Sequence, residues 1–357
     1  MFILDSHCDT PSQLLRGRDI ALDNPYSHVD FPKLKRGGVD AVFFALFTPN
    51  TITADEATVR ALRMLARVHD SLDASANVAA LATSPSEIAT NRSRGLISVL
   101  LGMENGLPLQ EDISLLRLFF RQGVRYLTLT HNGDNAICDS AAEGRRWGGL
   151  SPFGREVVAE MNRLGMIVDV AHLSDATFWD CVECSSAPIV STHSCCRALA
   201  SHRRNMTDEM IRALADKGGV IQINFYPRFL SDKYAEAADA TGLEDWAEAI
   251  EAEWIAEPFN PSGIKSWQDA QDRLKTLPRP GVKEIVDHID HAVMIGGIDA
   301  VGIGSDFDGI LVPPEGVEDC SAIPAVFDEM ARRGYSEAEI EKVAGLNFLR
   351  VMTEVLK

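Results

Sequence analysis

Hydrophobic positions in this chain come in short blocks rather than in alternation. Eight runs stand out: Phe2 to His7, Val39 to Phe47, Leu96 to Glu104, Tyr126 to His131, Met166 to His172, Pro188 to His193, Gly219 to Phe225 and Ala300 to Asp306. Near-continuous Val, Ile and Leu over so few residues predicts strands buried on both faces, the habit of parallel sheets. Between the runs the spacing becomes helical. Thr53-Ala-Asp-Glu56 reads as a capping box, followed by Val59, Leu62, Leu65 and Val68 on one face. Ser84-Pro85-Ser86-Glu87 reads as a second capping box, with proline at the first helical position. Helices are predicted over Leu115 to Phe120, Pro152 to Leu164, Asp175 to Val182, Thr207 to Lys217 and Val282 to Met294, and Ser336 opens a last helical region reaching Val355. Gly123, Gly165, Gly218 and Gly296 stand where such helices would stop.

Eight strands alternating with helices predict an α/β fold, a (β/α)8 TIM barrel with residues 1–357 as one catalytic domain. A doubly wound open sheet is the alternative, weakened because no G-x-G-x-x-G turn follows the first strand. Residues 227–280 break the repeat and carry a helical stretch near Leu243 to Ile255. They read as an insertion over the barrel mouth, or equally as an oligomer contact.

The polar residues sit where a barrel would use them. The runs end in His7 and Asp9, in Glu104, His131, His172 and His193, and in Asp306. The C-terminal strand ends of such a barrel converge on one mouth. Four of the nine histidines fall there; His69, His288 and His291 in helical patterns, and His28 and His202 in loops, read as surface or structural residues. Any one such residue is ordinary: a hydrogen-bonded histidine, or an aspartate capping a helix. Together they would leave Asp9, Glu104 and Asp306 clustered without a counter-charge, which costs several kcal/mol per poorly solvated ion. Bound cations remove the difficulty. Three histidines and two carboxylates suit Zn(2+), and after it Mn(2+), Co(2+) or Ni(2+). Five ligands exceed what one catalytic zinc takes and suit two ions sharing a carboxylate. The charges agree: two divalent ions, less Asp9, Glu104, a bridging hydroxide and Asp306, come to about zero.

Composition narrows the partners. The chain of 357 residues has 34 basic and 52 acidic residues, a net charge of −18. That disfavours nucleic acid and anionic membranes. The N-terminus shows no basic-then-apolar leader and no run is long enough to span a bilayer, so a cytoplasmic protein is expected. Seven cysteines form no regular framework and read as reduced; Cys181-Val-Glu-Cys184 reads as two thiols on a helix, not half a zinc ribbon.

The motifs together resemble the membrane (renal) dipeptidase family of zinc peptidases, a branch of the amidohydrolase-like barrels. They are Asp5-Ser-His7-Cys-Asp9-Thr-Pro, Gly102-Met-Glu104-Asn-Gly, Leu129-Thr-His131-Asn, Gly149-Leu-Ser-Pro-Phe-Gly154-Arg-Glu, Asp169-Val-Ala-His172, Ser191-Thr-His193-Ser, Ser201-His-Arg203-Arg204-Asn205, Gly304-Ser-Asp306-Phe-Asp-Gly309 and Gly345-Leu-Asn-Phe-Leu-Arg350-Val. The resemblance implies that His7, Asp9 and Glu104 hold one zinc, and that Glu104, His172 and His193 hold the other. It implies that His131 and Arg204 bind substrate and that Asp306 handles the proton. The reaction it implies is hydrolysis of dipeptides by a hydroxide between two zinc ions, with tolerance for a D residue at the C-terminal position. The oxyanion would fall to His131 and the substrate's free carboxylate to Arg204. Mammalian members are secreted, lipid-anchored, disulfide-linked dimers. This chain shows neither leader nor anchor signal and resembles a soluble bacterial-type member, with a homodimer expected. Two other readings remain: a metal hydrolase acting on another small amide (a β-lactam or N-acyl amino acid), and a non-catalytic receptor using the barrel mouth.

Overall fold

The structure, a computed structural model, describes residues 1–142, 145–256 and 261–356, with backbone alone over 251–256 and 261–264. Nine strands form one parallel sheet: β1 (Leu4–Cys8), β2 (Ala41–Phe47), β3 (Ala79–Leu81), β4 (Ile97–Glu104), β5 (Val124–Thr128), β6 (Ile167–Asp169), β7 (Ile189–Ser194), β8 (Val220–Ile223) and β9 (Val301–Ile303). Eight run in the order β1-β2-β4-β5-β6-β7-β8-β9. Just past the strand ends, Asp9 N donates to Phe307 O at 2.9 Å and Asp306 N to His7 O at 3.0 Å, bringing β9 round to β1. The fold is the predicted α/β barrel.

Burial on two faces explains the apolar runs. Leu4, Phe43, Leu100, Tyr126, Ile167, Val190 and Val220 share one cluster inside the barrel. Phe348, Val351 and Met352 of the last helix (Asn347–Val355) join this cluster. Intervening residues such as Val42, Val99, Leu101, Leu127, Val168, Ile189 and Ile221 pack outward against the helices. Fully burying each such side chain contributes about 1.5–3 kcal/mol.

Three departures from the sequence reading are local. β3 was not anticipated. It is three residues long and pairs only with the first residues of β4, Ile97 to Val99, while β5 takes Leu101 to Glu104. The runs at Tyr126, Met166 and Ala300 overshoot: the strands stop at Thr128, Asp169 and Ile303, so that His131, His172 and Asp306 ride on the loops beyond. Ser84 accepts the Glu87 N–H at 3.3 Å, but the Glu87 carboxylate reaches Thr83 N, so that capping box is shifted by one residue. The boxes at Thr53 and Ser336 are reciprocal.

Within 227–280 the chain forms a short turn (Pro227–Leu230) and helices Asp232–Thr241, Leu243–Ala256 and Pro261–Leu274; residues 257–260 lie outside the described residues. Tyr234, Ala238, Ala247, Trp267 and Leu274 make a small core of their own against Leu311 and Val312, which follow β9. Among the described residues no helix is long and apolar enough to cross a membrane.

Candidate metal centre

Each donor is placed by a strand end. His7 lies in β1, with Asp9 one residue past it; Glu104 is the last residue of β4; His193 lies in β7. His172 and Asp306 follow β6 and β9 in left-handed backbone, φ 67° and 62°. Non-glycine residues held there store of order 1–3 kcal/mol, a strain that clusters at functional sites.

The set divides around Glu104. Its Oε2 lies 3.5 Å from His7 Nε2, and His7 Nε2 lies 3.5 Å from Asp9 Oδ2. Its Oε1 lies 3.0 Å from His172 Nε2, 3.6 Å from His193 Nε2 and 3.9 Å from His131 Nε2. Asp306 shares a group of close donor atoms with His7 and Asp9. Asn224 Nδ2 holds Asp306 through a 2.9 Å hydrogen bond to Oδ2.

The ring nitrogens facing away from this cluster fix the tautomers. His172 Nδ1 donates to Asn132 Oδ1 at 3.0 Å. His193 Nδ1 donates to Thr192 Oγ1 at 2.9 Å, because the Thr192 hydroxyl proton goes to Asp169 Oδ2 at 2.7 Å. His7 Nδ1 meets the Tyr126 hydroxyl at 2.8 Å. Tyr126 can cross the barrel to reach it only because residue 102 is glycine: a Cβ there would lie 2.0 Å from the Tyr126 ring. Both His172 and His193 therefore turn an Nε2 lone pair toward Glu104.

Left to themselves these atoms conflict. His7 Nε2 and Asp9 Oδ1 are buried without a hydrogen-bond partner among the described residues. His172 Nε2 and His193 Nε2 face each other at 2.9 Å, lone pair to lone pair. Burial, then the Arg204 and histidine charges around them, hold both rings well below the usual histidine pKa. Burial works the same way on His7, but Glu104 and Asp9 outweigh it and raise its pKa well above the usual value. Burial and the Glu104 charge push Asp9 up to about 6, and burial raises Asp306 well above the carboxylate range. Two neutral imidazoles with unused lone pairs, His172 and His193, a third held between two carboxylates, and the crowded carboxylates themselves fit divalent cations with nitrogen and oxygen ligands, as zinc sites use.

Above the donors opens a cavity of about 550 Å³ lined by His131, Arg204 and Asp306. His131 is held neutral, its pKa pushed down to about 3 by burial and by the Arg204 charge. Arg204 is buried, with Nε unpartnered among the described residues and one terminal nitrogen 3.4 Å from His193 O. Burial lowers its pKa to about 10, which leaves it charged at neutral pH.

All eight residues singled out by the sequence thus face one cavity or its floor. The same cavity is lined by residues that the sequence reading left out: Arg16, Phe47, Arg60, Tyr226, Arg228 and Phe229 among them. His202 also lines it, which corrects its reading as a surface or structural loop residue; the fold carries Ser201–Asn205 back over the strand ends, and local spacing does not register that. The other four histidines do not line the cavity; His288, for one, is buried and accepts the Cys196 N–H at 3.0 Å.

A family model described as membrane dipeptidase (peptidase family M19) matches residues 1–357. The chain belongs to the membrane dipeptidase family. It is accordingly a metallopeptidase, a hydrolase of peptide bonds. Dipeptidase aclJ of Aspergillus oryzae is 33% identical over 342 residues, covering 93% of this chain and 71% of that protein. The crystal structure of the probable dipeptidase PvdM from Pseudomonas aeruginosa superposes with a TM-score of 0.85 at 29% identity, covering 100% of this chain and 96% of that one. A metallo peptidase from Rhodobacter sphaeroides, liganded with a phosphinate mimic of the dipeptide L-Ala-D-Ala, superposes with a TM-score of 0.82 at 25% identity, covering 99% of each chain.

Proposed function

We propose that this dipeptidase is a two-zinc enzyme that cleaves dipeptides and accepts a D residue at the C-terminal position. The observation that carries the reading is the conflict around Glu104: the Nε2 lone pairs of His172 and His193 face each other and Glu104 Oε1, while His7 Nε2 is held between Asp9 and Glu104 Oε2. His7, Asp9 and Glu104 would hold one cation, and Glu104, His172 and His193 the other. When bound, the pair would supply an activated water and a Lewis acid for the carbonyl oxygen.

The protein groups do the rest. The Nε2 side of His131 faces Glu104 across the cavity floor, where a donor can meet a developing oxyanion. Asp306, steadied by Asn224, takes a proton from the attacking water and returns it to the leaving amine. Arg204 pairs with the free carboxylate of the substrate through its fork of N–H donors. This carboxylate clamp limits the enzyme to dipeptides, since a longer chain would have to continue through Arg204. The insertion at 227–280 covers the barrel mouth: Arg228, Phe229 and Glu248 from it line the cavity. The seven cysteines are free thiols, as in a cytoplasmic enzyme, and a homodimer completes the reading.

A panel of dipeptides with L and D residues at each position, plus one tripeptide, tests this. Cleavage of dipeptides alone, abolished by a chelator, is the expected pattern; equal cleavage of the tripeptide would remove the clamp. Glu104→Gln should lower kcat/KM by well over about a hundredfold and reduce bound metal, because even outer-shell changes cost 10–100-fold. Full rate with full metal would sink the assignment. Arg204→Ala should raise KM by about one to two orders of magnitude, the worth of charge-assisted hydrogen bonds; an unchanged KM takes it out of the site.

A further inference from the structure

One wall of the cavity holds more positive charge than a main-chain carboxylate requires. It is built by His202, Arg203, Arg204 and Phe229. His202 Nδ1 accepts the Arg204 backbone N–H at 3.2 Å, so the proton of the neutral ring sits on Nε2, which makes no hydrogen bond to a described residue. Burial, then the charges of Arg204 and Arg228, hold this ring neutral, its pKa pushed down to about 4. The His202 ring lies 4.6 Å from the Phe229 ring, and the Arg204 guanidinium carbon 5.4 Å from it. His202 and Arg204 therefore share one aromatic surface. Arg203, between them in the chain, lines the same cavity, is exposed, and makes no ion pair with a described residue. Arg228 differs: its Nε donates to Glu244 at 2.6 Å and its terminal nitrogen to Asp239 at 2.8 Å. In a chain of net charge −18, an arginine lacking a carboxylate partner at the rim of the substrate cavity stands out.

We propose that the enzyme prefers dipeptides whose C-terminal residue has an acidic side chain, aspartyl or glutamyl, and that His202 and Arg203 read that second carboxylate. The inference rests on the reading that Arg204 takes the main-chain carboxylate. The side chain of that same residue branches one carbon away from the main-chain carboxylate, and the chain neighbours of Arg204 that line the cavity are His202 and Arg203. A side-chain carboxylate there accepts the His202 Nε2–H and the Arg203 fork; an amide of the same shape offers no charge, and an ammonium is repelled. Glu248 also lines the cavity, so the discrimination is local to this wall and does not follow from the cavity's net charge.

The test is kcat/KM for L-Ala-Xaa with Xaa as Ala, Glu, Gln and Lys, in the configuration cleaved best. We expect Glu over Gln by roughly ten- to a hundredfold, the range for hydrogen bonds to a charged group, with Lys poorest. Arg203→Gln should cut the Glu-to-Gln ratio about tenfold, with Arg203→Lys restoring part of it. His202→Phe, which keeps a ring against Phe229 and removes the N–H, should also lower the ratio. Cleavage of all four peptides with a Glu-to-Gln ratio near one, or a ratio that neither variant moves, overturns this inference and leaves the dipeptidase reading standing. Cleavage of none overturns both.

Discussion

At the scale of the residue, Asp9 and Asp306 can face each other only because position 309 carries a hydrogen. A Cβ on Gly309 would lie 2.1 Å from Asp9 Oδ2 and 2.8 Å from Asp306 Oδ1. The Gly309 backbone is outside the left-handed region, so alanine is tolerated there by the chain itself. Gly309→Ala should leave the melting temperature within a few degrees and lower kcat/KM by about tenfold to a hundredfold, the effect of displacing a reacting group by an ångström. Wild-type kinetics in the variant would mean that the two carboxylates need not keep these positions. The donors themselves were legible because each closes an apolar run: a polar, ligand-type residue after Val-Asp-Val-Ala or Gly-Ile-Gly-Ser has no packing reason to be there. Arg204 was not legible in that way. It lies in a loop among other charged residues, and only the family motif singled it out. His202 was missed for the same reason, since what makes it a cavity residue is the Phe229 ring, 27 positions away in the chain.

At the scale of the element, the helix Val282–Gly296 ties the β7 loop to the insertion through His288. The Cys196 N–H donates to His288 Nδ1 at 3.0 Å, and His288 Nε2 donates to Leu230 O at 3.2 Å. This arrangement needs a neutral ring. Burial is the main cause holding its pKa down to about 4; the Leu230 bond and Asp287 oppose that, and His291 adds to it. A folded pKa below the unfolded value of about 6.5 means that the unfolded chain binds the proton first. The stability is therefore complete above about pH 6.5 and is lost as pH falls toward 4, by at most about 3 kcal/mol. Asn at 288 keeps an acceptor for Cys196 without titrating. Urea unfolding at pH 7.5 and pH 5 should show a smaller acid loss in His288→Asn than in the parent protein; equal losses would exclude His288 as the source. Apolar periodicity places such helices well, and Pro152–Leu164 begins and ends where it was predicted. What periodicity does not carry is partnership. The three helices of 232–274 bury Tyr234 and Trp267 against Leu311 and Val312, a pairing across some forty residues or more that no local pattern announces.

At the scale of the whole molecule, the barrel brings together residues from both ends of the chain. His7 comes from β1, Asp306 follows β9, and Asp306 N donates to His7 O where the sheet comes round. The order of the strands made this readable in advance, because consecutive βα units can close only as neighbours, with their C-terminal ends on one rim. The chain carries a net charge of −18, and at the cavity Arg203, Arg204 and Arg228 stand with Asp9, Glu104 and Asp306. If the donors around Glu104 hold two metals, as proposed, dipeptide hydrolysis depends on both. The most direct measurement strips the protein with a chelator and follows L-Ala-D-Ala hydrolysis as zinc is returned in known amounts. Activity that rises and levels off at two equivalents per chain is the outcome that this account predicts. A plateau at one equivalent, or full activity in the stripped protein, would contradict it.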